Sequence, residues 1–94
     1  MSVKIIIKRK VTADNVLELT SLLKKLRSLT ITQPGYISGE TLKRIDKDDE
    51  CLVISTWESV EDWNSWIKNE KRVAVQTEID RLLGQETEYA VYKT

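Results

Sequence analysis

The 94-residue sequence contains no histidine and no phenylalanine, and it has one cysteine, one proline and one methionine. Without histidine, neither a Ser-His-Asp triad nor a Cys-His pair can form, and a histidine-ligated haem is excluded. A single cysteine cannot supply the thiolates of a structural zinc or iron–sulfur site. Any catalysis must therefore use carboxylates, Tyr, Lys, Arg, amides or backbone groups, or a substrate that is itself reactive.

The sequence also lacks an excess of either charge. Fifteen Lys and Arg residues balance fifteen Asp and Glu residues, so we expect no nucleic-acid partner. The basic run Lys8-Arg9-Lys10 does not change this expectation, because strand alternation divides it between two faces. No apolar stretch approaches the roughly 20 residues of a membrane span, and no signal peptide is recognisable, so we expect no membrane partner. The single Cys51 then favours a cytoplasmic location.

The length and composition predict one globular domain spanning residues 1–94. The sequence is 40% hydrophobic and 32% charged, as in soluble globular proteins. A chain this short buries only about 60–65% of the surface that its unfolded form exposes. Self-association would bury more of that surface, so a homodimer is expected.

Hydrophobic periodicity predicts seven elements. Val3–Val11 alternates as a strand whose odd-numbered residues face the core. A helix is expected to begin after Thr12 as its N-cap and to end before Pro34, because the residue preceding a proline is disfavoured in a helix. The remaining predicted elements are a hairpin of Tyr36–Ile45 and Cys51–Trp57 around residues 46–50, a helix capped by Ser59, a helix from Asn69 or Glu70 to Gly84, and a strand over Thr87–Tyr92.

The order βαββααβ predicts a ferredoxin-like α+β fold, in which one antiparallel sheet carries its helices on one face. An RNA-recognition domain has the same order. Its stacking aromatics are missing from the first strand and from Cys51–Trp57, so RNA binding is not expected. The uncovered sheet face would be buried against a second copy, giving a homodimer through the sheet faces.

Three segments carry a resemblance to a known family: Gln33-Pro34-Gly35-Tyr36, the segment Ser55 to Ser59, and Asp62-Trp63 followed by Trp66. Over nearly its whole length the chain resembles the antibiotic biosynthesis monooxygenase domain family of dimeric α/β barrel proteins. The best-known members oxidise polycyclic phenols, anthrones or quinols with dioxygen, without metal or flavin. Other members degrade haem, act on signalling molecules or have no assigned activity.

The haem-degrading branch of that family has a first-strand Asn, a second-helix Trp and a His ten residues after the Trp. Trp66 matches the Trp, but Gln76 stands at the His position and Arg9 at the Asn position. The resemblance to this branch therefore extends only to the scaffold, and no haem or other cofactor is expected.

The cofactor-free branch requires an apolar slot whose polar groups favour a substrate anion. Arg9 shares a strand face with Ile5 and Ile7, so it is predicted to point between sheet and helices, where it could pair with a phenolate above a floor formed by the two isoleucines. Alternatively, Arg9 extends to solvent or pairs with a carboxylate.

Four further residues are candidates for the same pocket. Trp66 lies about 60° from Trp63 around the second helix. We therefore predict Trp63 in the core and Trp66 at the pocket mouth, stacking on a planar substrate, although plain packing would also explain it. The resemblance places Gln76 in the pocket. Asn64 and Tyr36 could contact substrate oxygens, although a solvated Asn and a packing Tyr are simpler readings.

The resemblance therefore implies a cofactor-independent monooxygenase that acts on a small electron-rich aromatic, with Arg9, Trp66 and Gln76 in the catalytic site. The alternative is a non-catalytic small-molecule-binding or dimerisation module on the same scaffold. Cys51 is expected to act as a small hydrophobic residue rather than as a reactive thiol.

Overall fold

The computed structural model describes residues 2–47 and 49–94. It contains four strands and three helices, with a short 3-10 turn at Ala13–Asn15 before the first helix. The predicted order is confirmed. The elements are β1 (Val3–Lys10), α1 (Val16–Thr30), β2 (Tyr36–Lys43), β3 (Glu50–Trp57), α2 (Val60–Ile67), α3 (Glu70–Leu83) and β4 (Glu88–Lys93).

The strands form one antiparallel sheet in the order β2-β3-β1-β4. Alternation along β1 sorts its residues as predicted, because Val3, Ile5, Ile7 and Arg9 are buried while the lysines between them are exposed. The buried residues face the helices, which cover this inner face of the sheet. The architecture is therefore the predicted ferredoxin-like α+β fold.

The core has two parts. One surrounds Trp57 at the end of β3, where Trp63 and Trp66 of α2 pack on the sheet beside Ile5 and Ile7. The other lies between α1 and α3, centred on Leu19, Val75 and Ile79. Helices α1 and α3 therefore pack against each other in one part of the core, and α2 packs on the sheet in the other.

Three predicted helix boundaries are confirmed by their caps. Ser59 Oγ accepts a hydrogen bond from the Asp62 backbone N–H at 3.2 Å, which begins α2. Asn69 Oδ1 caps α3, and Gly84 ends that helix in the left-handed conformation with φ of +71°.

Other boundaries differ from the prediction. The Thr12 side chain makes no capping hydrogen bond, and α1 begins at Val16 after the 3-10 turn. Strand β2 ends at Lys43 rather than Ile45, and just beyond its end Arg44 pairs with Asp46 at 2.7 Å. Glu50 belongs to β3, and β4 runs one residue later than expected. Asp48 of the predicted connection lies outside the described residues.

The outer face of the sheet, opposite the helices, is partly apolar. Ile6 pairs with Ile54 of β3 and with Ala90 of β4 across its centre. Leu42 and Tyr92 flank this row and are 39% and 58% exposed. These apolar side chains alternate with charged neighbours such as Lys8 and Glu40.

Candidate functional site

A cavity of about 590 Å³ lies between the inner face of the sheet and α1. This volume is within the range of about 300–1,000 Å³ typical of small-molecule sites. Its inner wall consists of buried or half-buried residues of the sheet, α2 and α3. The residues of this wall used below are Ile7, Arg9, Cys51, Val53, Ser55, Trp63, Trp66, Arg72 and Tyr89. Exposed residues of α1, β2 and the start of the following loop form its mouth.

Arg9 is the most unusual group in the wall. It is 4% exposed, and its side chain enters the cavity region as its place on β1 predicts. Its Nη2 donates to Gln76 Oε1 at 3.3 Å, while its Nε is buried without a hydrogen-bond partner. No carboxylate of the described residues forms an ion pair with Arg9. Burial lowers the pKa of this guanidinium, although arginine remains protonated in proteins.

Gln76 of α3 is held in one orientation behind Arg9. Its Nε2 donates to Asp80 Oδ1 and to Thr87 Oγ1, both at 2.8 Å, and Thr87 Oγ1 donates to Asp80 Oδ1 at 3.0 Å. Both amide protons of Gln76 therefore face away from Arg9, and only its carbonyl oxygen can face the guanidinium. The network links Asp80 to Arg9 through a neutral amide and leaves the positive charge of Arg9 unpaired by direct contact.

A second buried arginine borders the same cavity. Arg72 of α3 is 6% exposed, donates to the Ile67 carbonyl oxygen at 3.3 Å and also donates to the Tyr89 hydroxyl oxygen. Its guanidinium carbon lies 5.3 Å from the Tyr89 ring centroid and 6.0 Å from that of Trp63, within cation–π range. Burial raises the pKa of Tyr89, so its hydroxyl keeps its proton at neutral pH and can donate it in a hydrogen bond.

Both tryptophans of α2 line the cavity, which corrects the prediction that Trp63 and Trp66 occupy different environments. They are 3% and 4% exposed. The indole of Trp57 explains how both are buried: Trp63 meets it edge-on at a centroid distance of 5.9 Å, and Trp66 stacks on it at 6.4 Å. An angular separation of about 60° on the helix is small enough for two large rings to reach one partner.

The other predicted site residues fall into two groups. Ile7 and Tyr36 line the cavity, and the Tyr36 ring packs edge-on against Trp57 at 5.4 Å. Ile5 is fully buried in the core and lies outside the cavity lining. Gln76 lies behind Arg9 rather than in the lining, and Asn64 is exposed on α2 away from it.

Sequence reasoning did not assign a site role to Arg72, Tyr89, Asp80 or Thr87. Arg72 carried a recognisable signal, because a charged residue on the apolar stripe of a helix must be buried with partners. The sequence contained no comparable signal for the Asp80–Thr87 contact, because this contact joins α3 to the start of the next strand across a turn. Cys51 also borders the cavity, and burial raises the pKa of its thiol, as expected for a hydrophobic rather than a reactive cysteine.

Residues 2–47 and 49–94 lack two features that would point to other functions. This part of the chain contains no group of three or more His, Cys, Asp or Glu side chains placed to hold a metal ion. It also contains no helix with the length and apolarity needed to span a membrane.

Comparison with known proteins identifies the family. The family model described as antibiotic biosynthesis monooxygenase matches residues 2–78. This chain belongs to the antibiotic biosynthesis monooxygenase family. Membership supports a monooxygenase type of function. No curated protein matches the sequence.

Solved structures show the same fold at low sequence identity. A conserved protein from Methanosarcina mazei Go1 superposes with a TM-score of 0.91 at 18% identity, covering 100% of this chain and 93% of that one. SnoaB, a cofactor-independent oxygenase from Streptomyces nogalater, gives 0.86 at 18% identity, covering 99% and 92%. Rv0793 from Mycobacterium tuberculosis gives 0.86 at 16% identity, covering 100% and 95%.

Proposed function

We propose that this protein is a cofactor-independent monooxygenase that oxidises a small electron-rich aromatic of the phenol, quinol or anthrone type with dioxygen. The observation that carries the proposal is Arg9. Its buried guanidinium has no carboxylate partner among the described residues and lies in the wall of a largely apolar cavity. Such a group stabilises an anion bound beside it much more strongly than it would in water. The likeness of the fold to SnoaB is consistent with this chemistry.

In the proposed reaction, the substrate binds as, or ionises to, a phenolate or enolate whose oxygen accepts a hydrogen bond from Arg9. The electron-rich anion transfers one electron to dioxygen, and the resulting superoxide and substrate radical combine to form a carbon-bound peroxide. For an anthrone, the O–O bond of the peroxide then breaks as the carbon loses its proton. One oxygen atom remains as the new carbonyl, and the other leaves as water with two protons.

The remaining wall residues bind and orient the substrate in this proposal. The indoles of Trp63 and Trp66 offer apolar surfaces to a planar ring, and Ile7 forms part of the floor. Gln76 is a positioning residue, because it holds Arg9 through Nη2 while its own amide is fixed by Asp80. Excluding water from the cavity strengthens the attraction between Arg9 and the anion.

We further propose that the protein is a homodimer joined through the outer faces of its sheets. The row formed by Ile6, Ile54 and Ala90, with Leu42 and Tyr92 beside it, supplies the apolar surface. A chain of this length gains stability by burying such a face against an identical one.

Oxygen uptake tests the proposed activity. Purified protein treated with a chelator should consume dioxygen faster than buffer alone with an anthrone or a naphthohydroquinone. The Arg9→Met variant should lose most of that rate, while Arg81→Met, a matched change at an exposed position of α3, should keep it.

Uptake equal to autoxidation by a folded protein, across a panel of such substrates, would contradict the proposed activity. If the same protein still bound the corresponding quinones, the non-catalytic small-molecule-binding module would be the better description.

A further inference from the structure

The charges around the cavity are strongly unbalanced, although the whole chain is neutral. Among the lining residues six are Lys or Arg and one is acidic. The acidic residue is Glu50, and it lies 3.8 Å from Arg44. Arg44 is also paired with Asp46 through two hydrogen bonds of 2.7 and 3.1 Å. Arg44 is therefore compensated by these two carboxylates, which leave one negative charge over, and the excess positive charge around the cavity comes from the other five cations.

Those five cations lie at two depths. Arg9 and Arg72 are buried in the inner wall. Lys24 and Arg27 on α1 and Lys43 on β2 are exposed residues of the lining, so they lie at the mouth. None of the three mouth cations is within ion-pair distance of a carboxylate among residues 2–47 and 49–94. Positive charge at the mouth therefore remains available to a ligand.

We propose that the substrate is an aromatic acid, whose phenolate or enolate oxygen lies at Arg9 and whose carboxylate lies at the mouth beside Lys24, Arg27 and Lys43. This inference rests on the proposed function for the position of the first anionic group. The position of the carboxylate is inferred from the mouth cations alone. A single anion bound at Arg9 would leave them without a counter-charge, whereas a carboxylate on the exposed end of the ring system would pair with them.

The physical consequence is selection by charge. Cations around the entrance of a low-dielectric cavity raise the local concentration of an anionic ligand and accelerate its association. The carboxylate would remain partly hydrated at the mouth, so its binding avoids the desolvation cost of full burial. The effect should weaken with added salt, because exposed charges are screened within about 10 Å at 0.1 M ionic strength.

Equilibrium binding of two non-reacting quinones tests the inference independently of oxygen chemistry. Rhein is a dihydroxyanthraquinone carboxylate, and in aloe-emodin a hydroxymethyl group replaces the carboxylate. Quenching of the fluorescence of Trp63 and Trp66, which line the cavity, reports binding of either compound. Rhein should bind on the order of tenfold more tightly at low ionic strength. The difference should shrink in 0.5 M salt.

Charge-matched double variants locate the effect. Lys24→Gln with Lys43→Gln should weaken rhein binding much more than aloe-emodin binding and so remove most of the preference for rhein. Lys25→Gln with Lys10→Gln removes the same charge from exposed positions outside the lining, and it should keep the preference. All four residues are exposed, so both proteins should remain folded.

Equal affinity for the two quinones, or equal loss of preference in both double variants, would overturn the inference. Failure of the proposed function gives a different result: no catalysed oxygen uptake, with a preference for rhein that still depends on Lys24 and Lys43. In that case the inference holds for a ligand rather than for a substrate.

Discussion

We expect Arg9 to have opposite effects on folding and on binding of the proposed ligand. Removing a guanidinium from water without a counter-charge opposes folding, and the single 3.3 Å hydrogen bond to Gln76 offsets only part of this cost. The same lack of a partner makes Arg9 attractive to an anion entering the cavity. We therefore expect the role of Arg9 to lie in binding the proposed anionic substrate rather than in stabilising the fold.

Replacing Arg9 by methionine separates the two effects. Methionine fills a similar space without charge, so we expect the free energy of unfolding to stay within about 1 kcal/mol of the wild-type value or to rise. Binding of an anionic quinone should weaken on the order of tenfold or more. Urea denaturation and ligand titration measure the two quantities. A variant that is strongly destabilised yet binds normally would identify Arg9 as a structural residue.

For single residues, the sequence predicts which face of a strand or helix a side chain lies on better than it predicts which residues that side chain contacts. Strand alternation places Arg9 on the inner face beside Ile7, and helical periodicity places Arg72 on the same stripe of α3 as Val75 and Ile79. Neither pattern identifies the hydrogen-bond partner of either arginine, because Gln76 and Arg9 belong to different elements, as do Tyr89 and Arg72. The burial of both Trp63 and Trp66 likewise depends on Trp57, which belongs to another element.

The junction between α1 and β2 packs against the start of α2. Gly35 adopts φ of +83°, and its carbonyl oxygen accepts a hydrogen bond from the Glu58 backbone N–H at 2.8 Å. Its α-carbon faces Asp62, whose carboxylate accepts a hydrogen bond from the Ser59 hydroxyl at the N-terminus of α2. The turn and the helix cap are therefore packed against each other.

Alanine at Gly35 should be more harmful than alanine at Gly84. Both residues have positive φ, for which a side chain costs about 1–2 kcal/mol. A Cβ atom at Gly35 would also lie 2.6 Å from Asp62 Cβ and overlap its carboxylate, whereas a Cβ atom at Gly84 meets nothing within 4 Å. Gly35→Ala should therefore lower the free energy of unfolding by at least about 1 kcal/mol more than Gly84→Ala. Equal losses in thermal or urea unfolding would mean that the Asp62 side chain moves aside freely.

The elements themselves are largely predictable from the sequence, because their signals are local. Ser59, Asn69 and Gly84 mark helix ends by side-chain and backbone chemistry that acts within a few residues. The less accurate boundaries have non-local or competing causes. Beyond the end of β2, Arg44 pairs with Asp46 instead of continuing the strand. The start of α1 is joined to the end of α3 by a hydrogen bond from Asn15 Nδ2 to the Leu82 carbonyl oxygen at 3.2 Å.

For the whole molecule, the proposed dimer gives a direct prediction. Ile54 lies near the centre of the outer face, where it pairs with Ile6 and Glu40. Ile54→Glu would bury two unpaired carboxylates at a two-fold interface, so the dimer dissociation constant should rise on the order of a hundredfold. Sedimentation equilibrium measures this change.

Leu17→Glu provides the control for that experiment, because Leu17 is 85% exposed on α1. It should leave the association state unchanged. A wild-type protein that is monomeric at micromolar concentration, or a dimer that tolerates Ile54→Glu, would contradict the proposed interface.

The packing of Trp57, Trp63 and Trp66 has a spectroscopic consequence. The ring centroids of Trp63 and Trp66 lie 5.9 and 6.4 Å, respectively, from that of Trp57. These distances are short enough for the excited states of the indoles to couple. Exciton coupling of this kind adds a pair of circular-dichroism bands of opposite sign to the far-ultraviolet signal of the helices. A helix content calculated from ellipticity alone would therefore be wrong for this protein. The loss of the coupled bands on heating would report the separation of α2 from the sheet.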